Sequence, residues 1–159
     1  MITQFGIVIS LILLALPSFG QDFSCGLIMG LGPSFKIIHL QNEQGKSLSD
    51  FTMARQSVRT TRQTAAQLAD DLNVLIHRAG GQNAYATGVM KEMAGQLSVL
   101  ANEDNKARTV GGWKKIIIDQ GERLDIVTSQ YQELLNFVCA VPVSPDQVKC
   151  WGYWPRQNQ

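Results

Sequence analysis

Residues 47–81 read SLSDFTMARQSVRTTRQTAAQLADDLNVLIHRAGG, and this stretch decides the fold class. Its apolar or small positions are Phe51, Ala54, Val58, Thr61, Ala65, Leu68, Leu72 and Leu75. They alternate in steps of three and four, which keeps one stripe on one side of an α-helix. Ser47-Leu48-Ser49-Asp50 resembles a capping box, in which a hydroxyl and an acidic side chain satisfy the first free amides, so a long helix is expected to begin there. Gly80-Gly81 is expected to stop it.

The same period recurs twice downstream. Ala86, Val89, Met90, Met93, Leu97 and Leu100 form a second stripe, and Asn102 to Lys106 make a polar break. Val110, Trp113, Ile117, Leu124, Val127, Tyr131, Leu134 and Val138 form a third, interrupted by Gln120-Gly121 and ended by Pro142. The expected fold is all-α: residues 47–141 as three amphipathic helices in an antiparallel bundle or long helical hairpin. Ala54, Thr61 and Ala65 leave the start of the first stripe thin in apolar bulk, so that half is expected to project or to meet a partner. Gly88, Gly95 and Gly121 each weaken a helix while allowing close backbone approach, and Gly121 is also a candidate hinge.

Upstream, residues 21–46 hold Gly26, Gly30, Gly32 and Pro33, which break a long helix. Phe35-Lys36-Ile37-Ile38-His39-Leu40 follows as a short strand, so this region is expected to be an extended or irregular N-terminal arm. Residues 1–20 carry no charge, run mostly apolar from Phe5 to Leu16, and close on Pro17-Ser18-Phe19-Gly20. That run is shorter than the roughly 20 apolar residues of a comfortable span and ends in small residues, as a secretory signal peptide does. Cleavage before Gln21 would leave the chain periplasmic or secreted; an uncleaved segment would tie it to the membrane.

An oxidising compartment favours a disulfide among Cys25, Cys139 and Cys150. Cys139 with Cys150 closes the shortest loop, with Pro142 and Pro145 favouring a turn between them, so this pair is expected to fix the tail of residues 142–159.

Fourteen basic residues against thirteen acidic ones give no global field for nucleic acid. The residues also offer little to catalysis. Asp119, Glu122 and Asp125 share a helix face, but Lys115 and Arg123 lie in reach and the period suits a solvated, ion-paired surface. Neither His39 nor His77 stands at metal-ligand spacing from a cysteine, and no phosphate loop or nucleophile elbow occurs. No enzyme activity, cofactor, metal or small-molecule substrate is therefore expected. Candidate partner-binding residues are Arg55, Arg59 and Arg62, a ridge on the first helix, and Trp151, Tyr153 and Trp154 in the tail. Lys106, Arg108, Lys114 and Lys115 form a second basic cluster.

The layout of signal peptide, N-terminal arm and Gln-rich amphipathic helices from Ser49 to Ala140 resembles small helical accessory proteins of bacterial conjugation and type IV secretion, including minor pilus-tip subunits. The resemblance covers layout only and carries over no functional residue. It implies a protein partner in the cell envelope and a role in assembling or tipping a transfer apparatus. The competing expectation is an inhibitor or immunity protein that blocks an envelope enzyme, with the ridge or the aromatic tail as its plug.

Overall fold

The computed structural model describes residues 25–81 and 83–139. The leader of residues 1–20 and the tail of residues 142–159, with Cys150, Trp151, Tyr153 and Trp154, lie outside the described residues. Within them the chain is all-helical: α1 (Cys25–Met29), α2 (Gly32–Lys46), α3 (Phe51–Ala79), α4 (Ala84–Ala101) and α5 (Val110–Cys139). No described helix is long and apolar enough to cross a membrane.

The three expected helices are present as α3, α4 and α5, with a fourth long helix, α2, completing the bundle. Residues 32–46 are not an extended arm. Pro33 sits in the first turn of α2, where its missing N–H costs nothing, and Leu31, Phe35, Ile38, Asn42 and Gly45 are buried at helical spacing. Ile37 and Leu40, which suggested a strand, are the outward, exposed positions of that helix.

The ends of α3 follow from local chemistry. Asp50 is the N-cap, its carboxylate accepting from the Met53 amide at 2.9 Å, while the Ser47 hydroxyl instead donates to Gln44 O at the end of α2. Gly80, at φ 56°, ends α3 in the left-handed conformation that glycine adopts without strain. Asn83 then caps α4, accepting from Ala86 N. The Thr109 hydroxyl accepts from Gly112 N at 2.9 Å at the start of α5.

Side-chain bonds fix the helix directions. Phe51 meets Trp113 and Gln120 reaches Val58 O, so α5 runs parallel to α3 with their first halves side by side. Lys114 donates to Lys46 O while Tyr131 stacks on Phe35, so α2 runs antiparallel to α5. Gln130 meets Glu92 and Arg123 meets Glu103, so α4 does too. The result is an up-down-up-down bundle with short links.

The amino-terminal half of α3 does not project. Ala54, Val58, Thr61 and Ala65 are all buried: Ala54 and Val58 pack with Trp113 and Ile117 of α5, and on the α2 side Gly45 lies so close to Ser57 Oγ that it leaves no room for a Cβ. Nor does Gly121 interrupt α5, which continues unbroken through it with Asn42 Oδ1 packed where a Cβ would stand.

Two apolar clusters lie at opposite ends of the bundle. The larger includes Phe35, Leu68, Met90, Leu97, Leu124 and Tyr131; the smaller is Ala54, Val58, Trp113 and Ile117, with Leu48, Phe51, Ala107 and Ile116 packed on it. A polar step separates them on three helices: Thr61 between Val58 and Ala65, Gln120 between Ile117 and Leu124, Asn42 between Ile38 and Gly45. Asn42 Nδ2 donates to Ile117 O at 3.0 Å and Gln120 Nε2 to Val58 O at 3.3 Å. These bonds reach backbone on a neighbouring helix, so a register slip of either pair would leave a buried amide unpaired.

The disulfide joins Cys25 to Cys139, not Cys139 to Cys150. The reason is the packing of α1 on the last turns of α5. Ile28 is fully buried in the main cluster, and the Tyr131 hydroxyl donates to Ile28 O at 2.6 Å, which brings the two Cα atoms to 4.9 Å. Burial pushes the Tyr131 phenol well above its usual range, so it stays a proton donor.

A candidate cationic docking cleft

The helical spacing of Arg55, Arg59 and Arg62 does place them together, and the bundle then adds what spacing could not. The link between α4 and α5 crosses the start of α3, so Lys106 and Arg108 face the three arginines across a cleft of about 610 Å³. Its floor is the smaller apolar cluster: Phe51 and Ala107, both part-buried, with Val58 and Trp113 beneath. Phe51 meets the Trp113 ring edge-on, centroids 6.2 Å apart. The Trp113 indole N–H, shielded from solvent, has no hydrogen-bond partner.

The five cations are not equivalent. Arg62 is tied down, donating to the Glu103 backbone carbonyl and to Asn105 Oδ1, and so holds the α4–α5 link against α3. Lys106 pairs with Asp104 at 3.5 Å, an exposed contact that contributes little. Arg55, Arg59 and Arg108 are exposed and have no ion-pair partner among the described residues. No carboxylate, histidine or thiol lines the cleft among the described residues. Apart from Asp104 beside Lys106, its positive charge therefore stands uncompensated next to an apolar floor, while the chain as a whole carries only +1.

The second basic cluster is divided by the fold. Lys106 and Arg108 join the cleft, whereas Lys114 turns away to donate to Lys46 O at 2.6 Å and Lys115 points to solvent outside the cleft lining. The acidic set on α5 is a surface feature: Asp119 pairs with Arg123 at 3.2 Å, Arg123 also pairs with Glu103, and Glu122 and Asp125 are exposed. Among the described residues no cluster of three His, Cys, Asp or Glu side chains could hold a metal ion.

Sequence reasoning missed the floor residues Phe51 and Trp113, which read as ordinary stripe positions, and the apposition of residues 55–62 with residues 106–108. A polar link rich in cations just before a helix was the only local signal for the second rim. No protein-family model, curated protein or solved structure matches the chain.

Proposed function

We propose that this chain is a non-catalytic interaction subunit, exported to the periplasm or beyond, that docks an acidic part of a protein partner in the cell envelope. The observation that carries this reading is the cationic cleft: three exposed guanidinium groups without ion-pair partners among the described residues, Arg62 holding the rim and Lys106 loosely paired beside them, over an apolar floor. Such a lining suits binding better than chemistry, since it offers no acid–base pair or nucleophile. The Cys25–Cys139 bond suits an oxidising compartment. A place in a conjugation or type IV secretion apparatus rests on what remains of the resemblance in layout, the apolar leader and the Gln-rich amphipathic helices, since residues 32–46 are helical rather than an arm.

The concavity also bears on the inhibitor reading. A plug has to protrude into its target's cleft, whereas Arg55, Arg59 and Arg62 line a hollow and are better placed to receive a segment than to insert one. The test is co-isolation of partners from the native envelope with the unaltered chain and with an Arg55→Glu, Arg59→Glu variant. Both positions are exposed, so the variant should melt within about 0.5 kcal/mol of the parent. The partner should be lost from the variant in low salt. Retention of the same partner by the charge-reversed chain would contradict the reading.

A further inference from the structure

The cleft continues beyond its first hollow. A second depression of about 330 Å³ shares Arg59 and Arg62 with it and extends along α3 past Gln63 and Ala66 to Ala101. From Arg55 to Ala66 the helix rises about 16 Å, at roughly 1.5 Å per residue. An extended chain covers that distance in about five residues at roughly 3.3 Å each. The two depressions thus form one track, apolar where Phe51 and Ala107 stand, cationic from Arg55 to Arg62 with Lys106 and Arg108 opposite, and uncharged past Gln63.

We infer that this track binds an extended acidic segment of a partner protein, about five residues long, whose carboxylates meet Arg55, Arg59 and Arg108 and whose one large apolar side chain rests on Phe51 and Ala107. This deepens the docking reading above and rests on it. Charge selects the class of occupant: guanidinium groups held along one track repel one another until an anion lies between them, and they bind carboxylates in a paired, directional way. The floor selects a peptide over a plain polyanion. A phosphate chain has nothing to place on Phe51 and Ala107, whereas an apolar side chain there is removed from water.

The chain's own remaining segments do not fit. Residues 1–24 contain Asp22 as their one acidic side chain, and residues 140–159 contain Asp146 as theirs, so neither holds an acidic run. The carboxylates on α5 are a poorer match, because Asp119 is already engaged by Arg123.

The test is calorimetric titration of the disulfide-intact chain with a blocked Leu-Glu-Asp-Glu-Asp peptide, the same peptide with Ala for Leu, and tripolyphosphate. The leucine peptide should bind, the alanine peptide should bind at least about fivefold more weakly because a buried Leu side chain is lost, and tripolyphosphate more weakly still. Arg55→Gln with Arg59→Gln should weaken the leucine peptide by more than about tenfold, as removal of charge-assisted hydrogen bonds does.

Equal binding of the two peptides, both lost in the double variant, would overturn the anchored segment and leave the acidic-partner reading standing. Tripolyphosphate binding as tightly as the leucine peptide would overturn it in favour of an anionic polymer. Self-association of the chain that vanishes with the same two substitutions would assign the track to a second copy, and overturn it also. Should no probe bind while co-isolation still depends on Arg55 and Arg59, the segment proposed here is wrong and the docking reading survives.

Discussion

Gly95 and Gly121 both lie inside long helices, and the same substitution should move stability in opposite directions at the two. A Cβ at Gly95 meets nothing within 4 Å, so Gly95→Ala should stabilise by about 0.5–1 kcal/mol through helix propensity. At Gly121 a Cβ would lie 2.6 Å from Asn42 Oδ1. Asn42 cannot swing aside cheaply, because it is buried and its amide donates to Ile117 O. Gly121→Ala should therefore destabilise by about 1–3 kcal/mol, since overpacking a filled core forces such a bond to shift. Urea unfolding of both variants checks the pair of signs. A stabilising Gly121→Ala would return that glycine to the role of a hinge or a mere weak point in α5. From sequence the two positions look alike, each an isolated glycine in a helical pattern. What separates them is which neighbour the tertiary fold brings, and no local pattern encodes that.

At the scale of elements, α3, α4 and α5 were legible because each has a long, regular stripe with recognisable ends at Asp50, Gly80-Gly81 and the break after Leu100. α2 was not, for two physical reasons. Its inward stripe includes His39 and Asn42, buried polar residues that an apolar period passes over. His39 Nε2 pairs with the Thr128 hydroxyl, and Asn42 with Ile117 O, so their burial is offset by bonds to α5 that a sequence does not display. Its outward face carries Ile37 and Leu40, which mimic a strand. The disulfide depends on the same helix: only once α1 and α2 fold onto α5 does Cys25 lie near Cys139, and an extended arm over residues 21–46 gives the two no reason to meet. The bond spans 114 residues, and in the chain-entropy model a loop of about that length gives up to about 4–5 kcal/mol. Cys25→Ser should lower stability by roughly 2–4 kcal/mol, moving the melting midpoint down by roughly 10 °C, while Cys150→Ser should leave it unchanged. Thermal unfolding of the two variants, beside non-reducing peptide mapping, distinguishes the pairing. Equal losses from both substitutions would contradict the Cys25–Cys139 bond.

For the whole molecule, the bundle divides the work between its ends. The larger apolar cluster, the stacked Phe35–Tyr131 pair and the disulfide hold one end closed. The other has a small core of four buried side chains, and over it lie the cleft and its uncompensated cations. One rim of that site could be read in advance, since Arg55, Arg59 and Arg62 follow helical spacing. The opposite rim depends on where the α4–α5 link crosses α3, a distance of more than forty residues along the chain held by Arg62 to Glu103 and Asn105. The central claim is that this hollow receives an acidic protein segment. It is tested most directly by installing a photoreactive side chain at Arg108, on the rim, and at Val74, exposed elsewhere on α3, then crosslinking in the native envelope and sequencing the captured peptide. The account predicts a crosslink from position 108 to an Asp/Glu-rich segment of one protein, lost at high salt and absent from position 74. Capture from position 74 alone, or of a segment without acidic residues from position 108, would contradict it.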